Sequence, residues 1–305
     1  MEEQKTPMVI INEKLEKVEK KFIELTSKET WEREKSYAIQ LFRKNPTLQK
    51  ANIRSTLESI INVANIGLTL NPALKLAYLV PRFSSQGVEV CLEASYQGLV
   101  KLITDTGSAK NVYCHIVYKG DDFQELLGTS IEIKHIPKRL SKEIECVYAV
   151  AILNDGTKQV EVMSKWEIDE IKERSESYKA VIQGKIKSCP WISDEGEMSR
   201  KTVIRRLCKY LPKTEQWEKL AKAIKLDEVD YTISDRQFDF IEQLLHSACI
   251  SPEEKQLIES QMNGYSSIEA NEVITRLKES QVDPIDSGQN YSQTDISKKI
   301  KQIIN

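Results

Sequence analysis

Apolar residues recur at helical spacing near the start of the chain and at alternate positions further on. Leu15, Val18, Phe22 and Leu25 follow at a 3-4-3 spacing, which predicts a helix over 13–44 with a narrow apolar seam. Such a seam suits either the protein's own core or a second copy of the chain. A second helix is predicted over 52–66, where Leu57, Ile60, Ile61 and Ala64 share a face and Gly67 ends the pattern. Asn71-Pro72 then forces a turn or extended backbone. After residue 74 the period falls to two. KLAYLV runs up to Pro81, Ser84-Ser85-Gln86-Gly87 makes a turn, and Val88, Val90 and Leu92 alternate with Glu89 and Glu93. That is the pattern of a hairpin with one solvated face. A helix over 95–105, carrying Leu99, Leu102 and Ile103, closes at Gly107.

NVYCHIVY and SIEIKHI read as further strands, and CVYAVAIL and TKQVEVM flank Asn154-Asp155-Gly156, a strong hairpin signal. Ser164 and Glu167 form a capping box that starts a helix through about 178. A loop spans 184–196, and another helix follows to Pro212. Helices, then strands, then helices predict an α+β fold with a mainly antiparallel sheet. Beyond 227, segments near 234–247, 251–262 and 266–280 each open at a Ser. Their apolar faces are Phe238/Ile241/Leu245, Leu257/Ile258 and Ile268/Val273/Leu277, which predict a small all-α, three-helix unit. Residues 282–305 hold few apolar groups before Ile296 and read as a disordered tail, with or without a short terminal helix.

Composition narrows the function. No run approaches the ~18 apolar residues of a membrane helix, and the N-terminus MEEQKTPMVIINEKLEK lacks the features of a secretory signal. Membrane and secreted readings are set aside. The six cysteines are never closer than 19 residues and only three histidines exist, so no zinc site is expected. The total charge of −2 hides an asymmetry: residues 1–34 carry −2, residues 35–226 carry +8 and residues 227–305 carry −8. Within the basic block, 198–226 holds nine bases against two acids. A basic body with an acidic tail fits a chain that meets a polyanion, or ordinary compositional scatter. The divisions drawn are an N-terminal helical, oligomerisation segment at 1–34, a core at 35–226, a three-helix partner-binding unit at 227–281 and the tail at 282–305.

Catalytic motifs are scarce. The chain has no G-x-x-x-x-G-K-[ST], G-x-S-x-G, H-E-x-x-H or glycine-rich dinucleotide fingerprint. Asp121-Asp122 is a carboxylate pair able to hold Mg²⁺, but YKGDDF reads as a strand-to-strand turn with solvated acids. His115 and His135 fall in strand patterns. The informative segment is SRKTVIRRLCKYLPK, 199–213. At ~100° per residue, Val203, Ile204, Leu207 and Leu211 share one face and Lys201, Arg205, Arg206 and Lys209 the other. Lys201, Arg205 and Lys209, spaced i, i+4, i+8, line one edge. Ser199 is a candidate cap near the helix start, where free backbone N–H groups attract phosphate. The stretch has no acid until Glu215, which favours a phosphate-tracking strip over an ordinary solvated face.

These residues bring a family into view. NVANIGLTLNPALKLAYLVPR, LEASYQGLVKLITDTG, NVYCHIVYKGDDFQ, AVAILNDGTKQVEVMSKWEIDEIKERSES and EMSRKTVIRRLCKYLP occur in that order between about residues 35 and 213. In this order and spacing the chain resembles the RecT family of phage and prophage single-strand annealing proteins. The resemblance implies an ATP-independent protein of the bacterial host's cytoplasm that coats single-stranded DNA and pairs it with a complementary strand. It implies a homo-oligomer, ring or helical filament, working beside a 5′→3′ exonuclease or a host single-strand binding protein. It implies that the 75–101 region, with Lys75, Tyr78, Tyr96 and Lys101, lines the DNA groove. The 199–213 helix would line it too, with Ser199, Arg200, Lys201, Thr202, Arg205, Arg206 and Lys209. Gln97 stands in S-Y-x-G-L where a basic residue is expected, and Lys101 one turn on is a possible substitute. Tyr78 and Tyr96 either stack on bases or belong to the core. The C-terminal unit resembles, more weakly, a small module at the ends of several phage recombination proteins.

Annealing breaks no covalent bond, so neither catalytic residues nor a cofactor is expected, and Mg²⁺ enters at most as a modulator. Two other functions stay open: an oligomeric phage scaffold or adaptor whose cationic helix binds an acidic protein surface, and a metal-dependent nuclease built on Asp121 and Asp122.

Overall fold

Two helices occupy the stretch where the seam predicts one: α1 (Pro7–Leu25) and α2 (Lys28–Lys44). Ser27 between them is extended, and its hydroxyl accepts the Thr30 amide at 3.1 Å, an N-cap that starts a new helix in mid-pattern. Part of the seam serves the protein's own core, whereas Leu25 at its end is 46% exposed. Leu15 and Phe22 are fully buried, and the Phe22 ring lies 5.2 Å from that of Trp31 on α2. The computed structural model describes residues 7–84, 87–126, 128, 131–228, 235–247, 250–262 and 267–280. By contacts the chain divides into two compact units, residues 1–229 and 230–305.

In the first unit a short α3 (Pro46–Gln49) leads into α4 (Ile53–Ile66). Asn52 caps α4, and Gly67, at φ 73, ends it in the left-handed region that glycine tolerates. Strands β1 (Ala77–Ser84) and β2 (Gly87–Ala94) form the expected antiparallel hairpin, with Ala77 opposite Ala94. The N-terminal half of α4 covers β2: Ser59 donates to the Val90 carbonyl at 2.7 Å, and Ser55 accepts the Val90 amide at 3.0 Å. This closes a strand edge that would otherwise stay open. Helix α5 (Tyr96–Asp105) follows, capped by Ser95.

The central sheet is antiparallel in the order β3-β6-β7, from β3 (Asn111–Tyr118), β6 (Ile144–Ile152) and β7 (Lys158–Ser164). A separate hairpin joins β4 (Asp122–Leu126) to β5 (Glu132–Ile136). Strand β4 begins inside the segment read as a turn, which is confined to Lys119, Gly120 and Asp121. The capping box is present, with the Glu167 carboxylate accepting the Ser164 amide at 2.9 Å. It starts α6 (Lys165–Arg174), and the extended Ser175 separates this from α7 (Glu176–Ile182), so one predicted helix is again two. Then come α8 (Pro190–Ser193), α9 (Glu195–Cys208) and α10 (Trp217–Glu228). Helix α9 crosses all three central strands, and its Val203, Ile204 and Leu207 are fully buried in one core with Val147, Ala149 and Met163.

The second unit comprises α11 (Asp235–Ser247), α12 (Pro252–Gln261) and α13 (Ser267–Glu279), close to the three predicted segments. Ile241, Leu245, Ile258, Ile274 and Leu277 form its core, with Phe238 partly buried against them. Leu257, placed on an apolar face by its spacing, is exposed. Ser251 caps α12. Ser234, Ser266, the Ile268 side chain and the tail at 282–305 lie outside the described residues. Among those described, no helix is long and apolar enough to cross a membrane.

Candidate nucleic-acid interface

Helix α9 begins at Glu195, with Asp194 in the N-cap position and Glu195 and Glu197 in the first turn, where carboxylates favour the helix dipole. Ser199 is therefore inside the helix rather than at its start. Its side chain is fully buried and its hydroxyl donates to the Glu195 carbonyl at 2.8 Å. Thr202 donates likewise to the Met198 carbonyl at 2.9 Å. Neither hydroxyl marks a free helix end.

The cations of α9 are also not an unopposed row. Arg200 pairs with Glu197 at 2.6 Å. Lys201 is only 9% exposed, and its Nζ lies 3.4 Å from the Glu93 carboxylate. Arg206 holds Glu161 at 2.7 Å and Glu167 at 2.6 Å. Arg205 is half-buried, and Lys209, exposed, occupies the C-cap. The acids missing from the local sequence come from β2, β7 and α6, brought across by the fold. The face of β2 predicted to be solvated is therefore covered, with Cys91 buried and Glu93 reached by both Lys201 and Arg82. Burial alone would raise the Glu93 pKa, but the Lys201 and Arg82 charges and hydrogen bonds outweigh it and hold the carboxyl below its ordinary range. Hydrogen bonding to Glu167 raises the Arg206 pKa further.

Two tyrosines meet the start of α9. Tyr78 of β1 is 45% exposed and stands opposite Glu93, the carboxylate that meets Lys201 of α9, in the hairpin register; burial raises its hydroxyl pKa, and the charges of Glu197 and Asp194 add to the shift. Tyr96, the first residue of α5, packs partly against the core, with the Arg200 guanidinium 5.9 Å from its ring centroid. Gln97 reaches back to the Tyr96 hydroxyl at 3.4 Å. The structure thus gathers Tyr78, Tyr96 and Arg200, with Tyr78 the more open to stacking. Lys75 is exposed, just ahead of β1, in a left-handed conformation at φ 52. Lys101 is ion-paired with Asp105, one turn along α5.

Glycine at 98 has a steric cause. A Cβ there would lie 2.1 Å from the Leu76 carbonyl oxygen, so the start of α5 approaches the backbone ahead of β1 as only glycine allows. The same carbonyl accepts the Ser95 amide at 2.9 Å.

Asp121 is not a solvated turn acid, whereas Asp122, the first residue of β4, is exposed as expected. Asp121 accepts the amides of Tyr118 at 3.0 Å and Lys138 at 2.7 Å, and His135 Nε2 donates to it at 3.1 Å. The Tyr118 and Lys138 amides lower its pKa most, and the carboxyl falls to about 2. Asp122 pairs with Lys138 at 2.6 Å. Among the described residues no group of three or more His, Cys, Asp or Glu side chains is placed to hold a metal ion.

Three residues that the sequence reading left out belong to this site: Arg82, Glu93 and Glu197. For Arg82 and Glu93 the signal was the alternation itself. It puts Glu89, Cys91 and Glu93 on one face, and a cysteine there fits a covered surface better than a wet one.

The site is thus a cationic helix laid over a sheet, flanked by a hairpin and a tyrosine pair, in a protein of α+β class. The profile of the RecT family matches residues 32–240, from within α2 to the middle of α11. The chain belongs to the RecT family and is a recombination protein of the single-strand annealing kind. Over 204 residues it is 32% identical to Protein RecT of Escherichia coli (strain K12), an alignment covering 65% of this chain and 72% of that protein.

Proposed function

We propose that the protein binds single-stranded DNA through the α9 face and the β1–β2 hairpin with α5, and anneals it to its complement without ATP, as an oligomer. The observation that supports this best is that the family match, residues 32–240, takes in every element of that assembly. Arg200, Arg205, Lys209 and Lys75 supply charge for phosphates, and Tyr78 supplies a ring for a base, contacts that need no particular sequence. Oligomerisation multiplies weak contacts by raising effective concentration. The protein works in the bacterial cytoplasm beside a 5′→3′ exonuclease or a host single-strand binding protein, and the second unit is the docking element for that partner. It is not an enzyme and needs no cofactor.

The test is a gel shift with oligo-dT followed by annealing of complementary strands in EDTA without nucleotide. Binding and annealing support the reading. Absence of any shift favours a scaffold or adaptor, and Mg²⁺-dependent cleavage favours a nuclease, although Asp121 and Asp122 are already engaged by His135, Lys138 and backbone amides.

A further inference from the structure

The basic run at 198–226 has two halves, and the fold treats them differently. On α9 the paired cations meet carboxylates, Arg200 on its own helix and Lys201 and Arg206 from other elements. On α10 Lys222 meets another lysine. Lys222 and Lys21 of α1 line one cavity of about 430 Å³, together with Asn62, Asn65 and Glu58 of α4 and an apolar floor of Val18, Leu57 and Ile61. Among the described residues neither lysine has an ion-pair partner. Glu58, the one carboxylate in the lining, pairs with Arg54 at 3.0 Å.

Partial burial, and then the Lys21 charge, lower the Lys222 pKa. Two ammonium groups lining one partly desolvated cavity repel, and among the described residues its one lining carboxylate, Glu58, is already paired with Arg54. An entering anion removes that repulsion and pairs with both. The Asn62 and Asn65 amides add neutral N–H donors, which suit oxyanion oxygens, and the apolar floor suits the sugar attached to a phosphodiester.

We propose that the cavity between α1, α4 and α10 is a phosphate-binding site, separate from the α9 face, that takes a phosphodiester of the DNA strand. The nucleic-acid part of this assignment rests on the function proposed above, whereas the phosphate chemistry does not.

The full-length chain and its Lys21→Gln/Lys222→Gln double variant separate the two. Removing a repelling pair should leave the thermal midpoint of the variant, without phosphate, equal to or above that of the wild type. A merely structural role for these lysines would lower it and would overturn the proposal. Millimolar inorganic phosphate, compared with chloride at equal ionic strength, should raise the midpoint of the wild type and not of the variant. Equal shifts in both proteins would overturn the site altogether. Titration of oligo-dT across a salt series should show a log K against log[salt] slope smaller in magnitude by ~0.7 for the variant, the loss of one phosphate contact. A lost phosphate response with an unchanged slope would assign the cavity to free phosphate and overturn the strand contact. A wild type that binds no oligo-dT contradicts the proposed function instead, and the phosphate response still decides the site.

Discussion

Lys201 on α9 and Glu93 on β2 stand 108 residues apart in sequence and 3.4 Å apart in the fold. Arg82 shares the same carboxylate. A cation that helical spacing assigns to phosphate is therefore already neutralised from inside the protein. Any phosphate that reaches Lys201 competes with Glu93, and the pair sets the strength of the site as well as its stability.

Replacing Glu93 by Gln keeps the shape and removes the charge. It leaves Lys201 and Arg82 without that carboxylate's charge, and breaking a largely buried pair in this way costs about 3 kcal/mol. Denaturant unfolding should show that loss. Single-strand affinity of the folded variant should rise, because the internal competitor is gone. A variant as stable as wild type, with unchanged affinity, would mean that the pair controls neither property.

Acid should expose the same pair. The Glu93 pKa is lowered in the fold, so its stabilisation is complete above the unfolded value of about 4.3 and is lost as pH falls through the folded value. Asp121 behaves likewise, from about 3.9 unfolded down to about 2. Thermal midpoints should therefore fall below about pH 4. The fall should be shallower in Glu93→Gln, which lacks one of the two groups. Identical acid limbs in the two proteins would contradict the assignment.

Gly98→Ala tests the close approach of α5 to Leu76. The added Cβ would sit 2.1 Å from a backbone oxygen, which no rotamer relieves. A loss of about 3 kcal/mol is expected, at the upper end for an overpacked site. Calorimetry reads it directly, and a midpoint within a degree or two of wild type would show that the helix start moves freely.

How much of this was legible in the sequence follows from what each signal encodes. Caps and glycines are local, so Gly67 and the Ser164–Glu167 box mark helix ends correctly. The three C-terminal helices were read almost to their bounds. Ser27 and Ser175 break helices without the Gly or Pro nearby that usually marks a break in the sequence. The cations of α9 were visible, but their partners were not: Glu93, Glu161 and Glu167 lie on other elements, and a helical period carries no information about what packs across it. Ser199 reads as lying near a helix start because the loop is drawn through 196, whereas the helix opens at Glu195 and Ser199 falls in its second turn. Lys21 and Lys222 share a cavity through packing of α1 and α10, which no spacing rule connects.

Truncation after residue 229 tests the division of labour between the two units. The first unit keeps its own core, with Leu220 and Ala223 of α10 buried in it. It should bind and anneal DNA in vitro as the full chain does, with tighter binding at low salt once the net −8 of residues 227–305 is largely removed. Recombination in cells should fall because the partner-docking element is missing. A folded truncated chain that no longer anneals would place the second unit inside the annealing machinery.

The central claim is tested most directly by the rate at which two complementary oligonucleotides pair in EDTA, with no nucleotide present, in the presence and absence of the protein. Wild type should accelerate pairing markedly, an effect weakened by Arg200→Ala/Lys209→Ala, whose salt slope should shrink in magnitude by ~1.4. Pairing that needs ATP hydrolysis, or that proceeds no faster with the protein than without it, would contradict the account.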